Sequence, residues 1–176
     1  MREIRLAVLS DIPSILEIER DRFPSSFYSQ RIYESALRSD SEMVLICEEE
    51  GEIIGFLYLS YSLEEAEINH VAVKKAFEGK GIASSLMRKA EKMLYEKEVK
   101  TMLLEVRKSN LRAINLYECL GYKYYRTRKN YYQDNYEDAW CYMKGIVNER
   151  RNHSRFGIKL WWNFSCHFKK WDWTSF

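Results

Sequence analysis

INHVAVKKAFEGKGIASSLM, residues Ile68 to Met87, is the stretch whose reading decides the fold. Its apolar start belongs to a strand over Ala66 to Val73. A glycine-spaced turn follows, Glu78-Gly79-Lys80-Gly81-Ile82-Ala83, and opens a helix with Ile82, Leu86, Ala90, Met93 and Leu94 on one face. Such a junction presents unpaired backbone N–H groups at the positive end of a helix dipole, where a pyrophosphate binds well. Taken alone, the turn fits a plain strand-to-helix connection equally well. It lacks both the GxGxxG of dinucleotide folds and the GK[ST] of a P-loop.

Outward from this stretch the elements alternate. Ile4 to Val8 reads as a strand, Asp11 as the cap of a helix through Phe23, and Gln30 to Arg38 as a second helix. Glu42 to Glu49 and Glu52 to Tyr61 flank the Glu50-Gly51 turn as a hairpin. Thr101 to Val106 is a strand, and Asn110 caps a helix that ends at Gly121. Tyr122 to Arg128 and Ala139 to Lys144 close the body as a strand pair. The order predicts an α/β sandwich, one mixed sheet with helices on both faces.

The 176 residues suffice for one domain with a core, and 46% hydrophobic with 31% charged residues excludes a disordered chain. Cys47, Cys119, Cys141 and Cys166 lack metal or redox spacing and read as buried free thiols. No run has signal-peptide or transmembrane character, so a cytoplasmic protein is expected. The composition changes near Asn148, which divides the chain into a domain over 1–148 and an extension over 149–176. Of the 28 basic and 26 acidic residues the extension holds six and two, leaving 22 and 24 in the body, and it carries four of the five tryptophans. This basic, aromatic tail suits a ribosome, RNA, membrane-surface or subunit contact, or a simple extension.

Two further segments sharpen the turn. Leu104-Glu105-Val106-Arg107-Lys108-Ser109-Asn110 leads into Ala113-Ile114, Leu116-Tyr117 and Leu120-Gly121-Tyr122. Arg128-Lys129-Asn130-Tyr131-Tyr132 precedes Glu137-Asp138-Ala139 and Met143. With the strand and glycine turn, these resemble the GNAT acetyltransferase superfamily, and within it the protein Nα-acetyltransferases. Phe23-Pro24-Ser25-Ser26-Phe27 is similar to a substrate loop of some members. The resemblance covers residues 1 to about 147. It implies a GNAT fold, with a mostly antiparallel sheet and a splayed central strand pair, and acetyl-CoA as co-substrate. It further implies protein N-termini as acceptors, with nascent chains and ribosomal proteins among them, and no DNA.

The resemblance assigns the cofactor to Val71, Ala72 and Val73, to Glu78, Gly79, Lys80, Gly81, Ile82, Ala83 and Ser84 of the turn, and to Asn110 and Tyr117. The motif's first position, usually Arg or Gln, is Glu78 here, a carboxylate expected to repel a pyrophosphate unless Lys80, Lys74 or Lys75 compensates. Phe23, Pro24, Phe27, Tyr131 and Tyr132 are the expected substrate walls.

Direct transfer to an α-amine needs only a modest base. With a pKa near 7.7–8.0, roughly a tenth to a fifth of an α-amine is neutral at pH 7, against well under a thousandth of a lysine amine. Resemblance makes Glu105 that base, with Glu67 the second choice, and Tyr117 the hydrogen-bond donor to the departing thiolate. A backbone N–H of Val71 to Val73 meets the carbonyl oxygen. Strict alternation puts His70 on the opposite strand face from Glu67, as a packed histidine rather than a catalytic one. No cysteine is near the turn or Glu105 in sequence, which disfavours a covalent route. Lysine or small-amine acetylation, or a non-catalytic acyl-CoA-sensing or ribosome- or RNA-binding module, remain the alternatives.

Overall fold

Residues 1–147 are described by a computed structural model. The expected boundary at Asn148, the tail beyond it and Cys166 lie outside the described residues. In chain order the elements are β1 (Arg2–Leu6), α1 (Ile12–Arg22), α2 (Gln30–Ala36), β2 (Glu42–Glu49), β3 (Glu52–Tyr61), β4 (Glu65–Val73), α3 (Ile82–Glu96), β5 (Thr101–Arg107), α4 (Leu111–Cys119), β6 (Lys123–Tyr132) and β7 (Glu137–Gly145). The strands form one sheet in the order β1-β2-β3-β4-β5-β7-β6. All neighbours run antiparallel except β4 and β5, which the α3 crossover makes parallel.

Two cores sandwich the sheet. On one face Ile82, Leu86, Ala90 and Leu94 of α3 and Ile114, Tyr117 and Leu120 of the α4 region pack on Leu57, Leu59, Ile68 and Leu104. On the other, Ile12, Ile15 and Ile18 of α1 and Tyr33 and Ala36 of α2 pack on Ile46, Phe56, Tyr58 and Ala72. The face of α3 read from the sequence is thus its buried face, and truncating the fully buried Leu86 to Ala would cost about 2–5 kcal/mol.

Several boundaries differ from the sequence reading. β1 begins and ends two residues early because its ladder pairs Arg2 with Glu49 through Leu6 with Leu45. Asp11 does not cap α1 with its side chain. Arg5 holds its carboxylate at 2.7 and 3.0 Å, the Val8 N–H donates to it, and together they keep it ionised well below the usual carboxylate range. Cys47 and Cys141 are buried free thiols as expected, but Cys119 is exposed at the end of α4. Gly121 is the left-handed residue after α4, with φ +88°.

β4 contains the irregularity that matters most. Tyr58 pairs with His70, but Leu59 pairs with Ile68, so Asn69 is an extra residue, a β-bulge. Ala66 and Ile68 face the α3 core before the bulge, and Val71 and Val73 face it afterwards. Alternation therefore slips by one at Asn69. His70 emerges on the α1/α2 face, the same face as Glu67 and not the opposite one.

Gly55 of β3 sits against the end of this strand. A Cβ there would lie 2.9 Å from the Ala72 carbonyl oxygen, 3.2 Å from Ile82 Cγ2 and 3.3 Å from Val73 Cγ2. Gly55→Ala is expected to destabilise the fold by about 1–3 kcal/mol in urea denaturation, since backbone and two branched side chains must yield together. An unchanged midpoint would mean that β3 and β4 separate there without cost.

Candidate active site

The β4–β5 ladder runs from Glu65 with Thr101 to Ile68 with Leu104 and stops. β4 then continues to Val73 paired to β3, while β5 continues to Arg107 paired to β7. The two central strands open into a V. Along its β4 arm, backbone from Asn69 to Val73 has no β5 partner, so Val71, Ala72 and Val73, the residues the resemblance assigns to the cofactor, line one arm. Unpaired strand backbone of this kind is suited to pairing with the amide-bearing arm of a ligand.

Beyond the V lies the glycine turn. Gly79 and Gly81 both take φ +74°, and a Cβ on either would meet nothing within 4 Å. Gly81 is the residue from which α3 starts, and no side chain caps that first turn. The amides of the helix start and the open space before them fit a diphosphate, with Lys80, Ile82, Ala83 and Ser84 in the same turn. Asn110 has a structural duty beside any cofactor role, because its Oδ1 accepts the Ala113 N–H at 3.1 Å to cap α4.

Glu78 is neutralised, but not by the lysines. Arg22 at the end of α1 and Arg112 in the first turn of α4 both pair with its carboxylate. Lys74 is engaged by Glu17 and Glu52, and Lys80 lies over the Phe77 ring, 4.6 Å from its centroid. One carboxylate between two guanidiniums leaves this corner net cationic, a charge that attracts a polyphosphate. Neither partner is legible from the turn itself, since they lie 56 and 34 residues away.

On the α4 side Tyr117 is buried against Tyr122, ring centroids 5.9 Å apart. Burial pushes its hydroxyl up to about 12. Against a thiol near 8.5, giving its proton to a thiolate would be uphill by about 5 kcal/mol. A phenol so raised is suited to donating a hydrogen bond rather than releasing its proton.

The opposite face of the V carries the carboxylates. Met102, Leu104 and Val106 face the α3 core, which turns Glu105 toward α1 and α2, alongside Glu67. Glu105 is only 15% exposed and is clamped by Arg128 at 2.6 Å. Tyr131, whose ring lies 4.2 Å from Arg128, also bonds Glu105, and the carboxylate holds the phenol up at about 12. Tyr132 stacks under Arg107. Cys141 is Glu105's cross-strand partner, with Sγ 3.8 Å from Oε1, so the expectation that no cysteine adjoins Glu105 is corrected. Burial raises that thiol's pKa and Glu105 adds to the effect, which keeps it protonated and a poor nucleophile.

The remaining wall is the α1–α2 loop. Phe23 stacks on His70, centroids 3.9 Å apart, while Pro24 and Phe27 are exposed at its rim. Tyr28 leans on the same imidazole at 4.5 Å. Below them is Glu19, fully buried, whose Oε1 accepts the Tyr28 N–H at 2.9 Å and contacts His70 Nδ1 at 2.7 Å. Burial, Glu19 and Glu67 together raise the Tyr28 phenol, which places Glu67 on this side of the cleft. The sequence reading missed Glu19, Tyr28, Arg128, Arg22 and Arg112. No metal-binding cluster of His, Cys, Asp and Glu occurs among the described residues, and none of their helices is long and apolar enough to cross a membrane.

A model of the Acetyltransferase (GNAT) family matches residues 12–122. A protein of Bacillus subtilis (strain 168), provisionally named a [ribosomal protein bS18]-alanine N-acetyltransferase, is 33% identical over 146 residues, covering 83% of this chain and 96% of its own. An N-alpha-acetyltransferase of Sulfolobus acidocaldarius is 30% identical over 153 residues, covering 78% and 89%. The crystal structure of the ribosomal-protein-S18-alanine N-acetyltransferase from Escherichia coli superposes with a TM-score of 0.75 at 29% identity, covering 85% of this chain and 97% of that one. This chain belongs to the GNAT acetyltransferase family, and is an acyltransferase that uses acetyl-CoA.

The Glu78 triad generates a measurable outcome. Glu78→Gln releases Arg22 and Arg112 and is expected to tighten acetyl-CoA about two- to fivefold at low salt, the gain fading by about 0.5 M salt. Calorimetry showing equal or weaker binding would mean that Glu78's value lies in holding the arginines in place.

Proposed function

We propose that this enzyme transfers acetyl from acetyl-CoA to the N-terminal α-amine of proteins, in a cytoplasmic setting where nascent chains and ribosomal proteins are acceptors. The observation that carries this is the pairing of an acidic cleft with aromatic walls at the mouth of the V. Glu105 and Glu67 supply charge for an α-ammonium, while Phe23, Phe27, Tyr131 and Tyr132 flank the path of the peptide behind it. The names of the Bacillus, Sulfolobus and Escherichia relatives support the same acceptor class.

When bound, acetyl-CoA supplies an activated acetyl thioester. The protein's part is to hold the amine against it. Glu105, paired with Arg128, accepts a hydrogen bond from the ammonium and orients it toward the thioester, with Glu67 as the second carboxylate. The β4 backbone of Val71 to Val73 offers an N–H to the carbonyl oxygen, and Tyr117 donates to the thiolate as it departs. Because the Cys141 thiol stays protonated, a direct attack in a ternary complex is favoured over an acyl-cysteine route.

Free-α-amine peptides varied at their first two residues should be acetylated, and N-capped, lysine-bearing peptides should not. Glu105→Gln and Tyr117→Phe are each expected to lower kcat/KM about 10- to 100-fold with acetyl-CoA binding retained. Preferential acetylation of the capped peptides would transfer the enzyme to lysine chemistry, and cofactor binding with no turnover on any peptide would reject the reading.

A further inference from the structure

His70 stands at the reacting level of the V. It immediately precedes Val71, and Glu105 faces this level from β5, one residue past the last β4–β5 pair. The bulge at Asn69 turns its side chain to the peptide side. Glu19 Oε1 already accepts the Tyr28 N–H, and an oxygen in that acceptor role takes its second hydrogen bond from His70, so Nδ1 carries the proton between them. Phe23 lies flat on the ring at 3.9 Å, and Tyr28 lies against it at 4.5 Å. Two rings that close to one imidazole must cover opposite faces. The Nδ1 edge rests on a carboxylate of 0% exposure, yet the His70 side chain is 12% exposed. What remains open is the far edge, which carries the Nε2 lone pair.

Glu105 differs from this in one respect. Arg128 and Tyr131 already engage its oxygens. It is placed to hold an ammonium by hydrogen bonding. An imidazole with one nitrogen fixed by a buried carboxylate and the other open is the better-placed proton acceptor.

We propose that His70 is a catalytic residue, the proton acceptor for the substrate amine, and that Glu19 is the positioning residue that fixes its tautomer. The inference rests on acetyl transfer to a primary amine as proposed above. One proton of the ammonium passes to His70 Nε2 and from there to solvent. The freed nitrogen pair attacks the thioester carbonyl carbon, a C–N bond forms and the C–S bond breaks. The second proton lost by that nitrogen ends on the CoA sulfur, so ammonium and thioester give amide, thiol and one released proton. The titratable groups around the imidazole are Glu19 from α1, Tyr28 from the loop, Tyr33 from α2, Tyr58 from β3, Glu67 on its own strand and Glu105 across the V.

The test combines kinetics with a spectroscopic readout. His70→Ala should lower kcat about 100-fold or more, leave peptide KM within about threefold, and regain activity when imidazole is added to the buffer. His70→Asn should lose kcat equally without responding to imidazole. In ¹⁵N-labelled enzyme the His70 side chain should show a protonated Nδ1 and a bare Nε2, and Glu19→Gln should disturb that tautomer and lower kcat more than it raises KM. A folded His70→Ala protein that keeps kcat, or that imidazole does not rescue, overturns the proposal, as does a wild-type ring protonated on Nε2. Failure of the wild-type enzyme to acetylate any α-amine peptide would count against the acceptor class instead, and the tautomer would still decide the His70–Glu19 pair.

Discussion

The site exists because two neighbouring strands stop pairing. A parallel pair buried at the centre of a sheet ordinarily continues for its full length, since unpaired N–H and C=O groups are costly away from water. Here β4 and β5 share four residue pairs and then separate, each kept in the sheet by its outer neighbour. The antiparallel ladders on either side stabilise the V, which leaves one edge of backbone free for a ligand. The glycine turn, Tyr117 and the two carboxylates matter only through their position around that opening.

Charge is distributed around the V according to what each end must hold. At the turn, one carboxylate between two arginines leaves a cationic corner for phosphates. Across the sheet, Glu105 and Glu67 put carboxylates on the opposite face, and Arg128 clamps Glu105 in place. The hydroxyls near the chemistry, Tyr117 and Tyr131, are both pushed up to about 12, one by burial and the other by its carboxylate partner. Phenols so raised are suited to donating hydrogen bonds rather than releasing protons.

Local chemistry made most of the fold readable. The Glu50-Gly51 hairpin, the capped α4 and the 3.6-residue face of α3 depend on residues a few positions apart, and each forms where the spacing puts it. Glu105, Tyr117 and the turn were likewise legible, because their motifs are contiguous. The environment of those residues was not. Cys141 meets Glu105 only through the β5–β7 register, and Arg22 and Arg112 reach Glu78 from separate helices. Such contacts depend on strand order and helix placement, which periodicity does not encode. Asp11 shows the same limit at short range: its type and position suit a cap, but Arg5 on the adjoining strand takes its carboxylate.

The bulge at Asn69 makes β4 two half-strands sharing one backbone, offset by a single residue. Its first half is in phase with the ladder to β5 and its second with the cleft. Strand length around Asn69 is consequently under tighter constraint than strand composition. Conservative replacements leave the phase intact, whereas loss of this one residue would turn His70 inward and Val71 and Val73 outward together. The geometry of the reacting centre is thus fixed by a count of residues as much as by their identity.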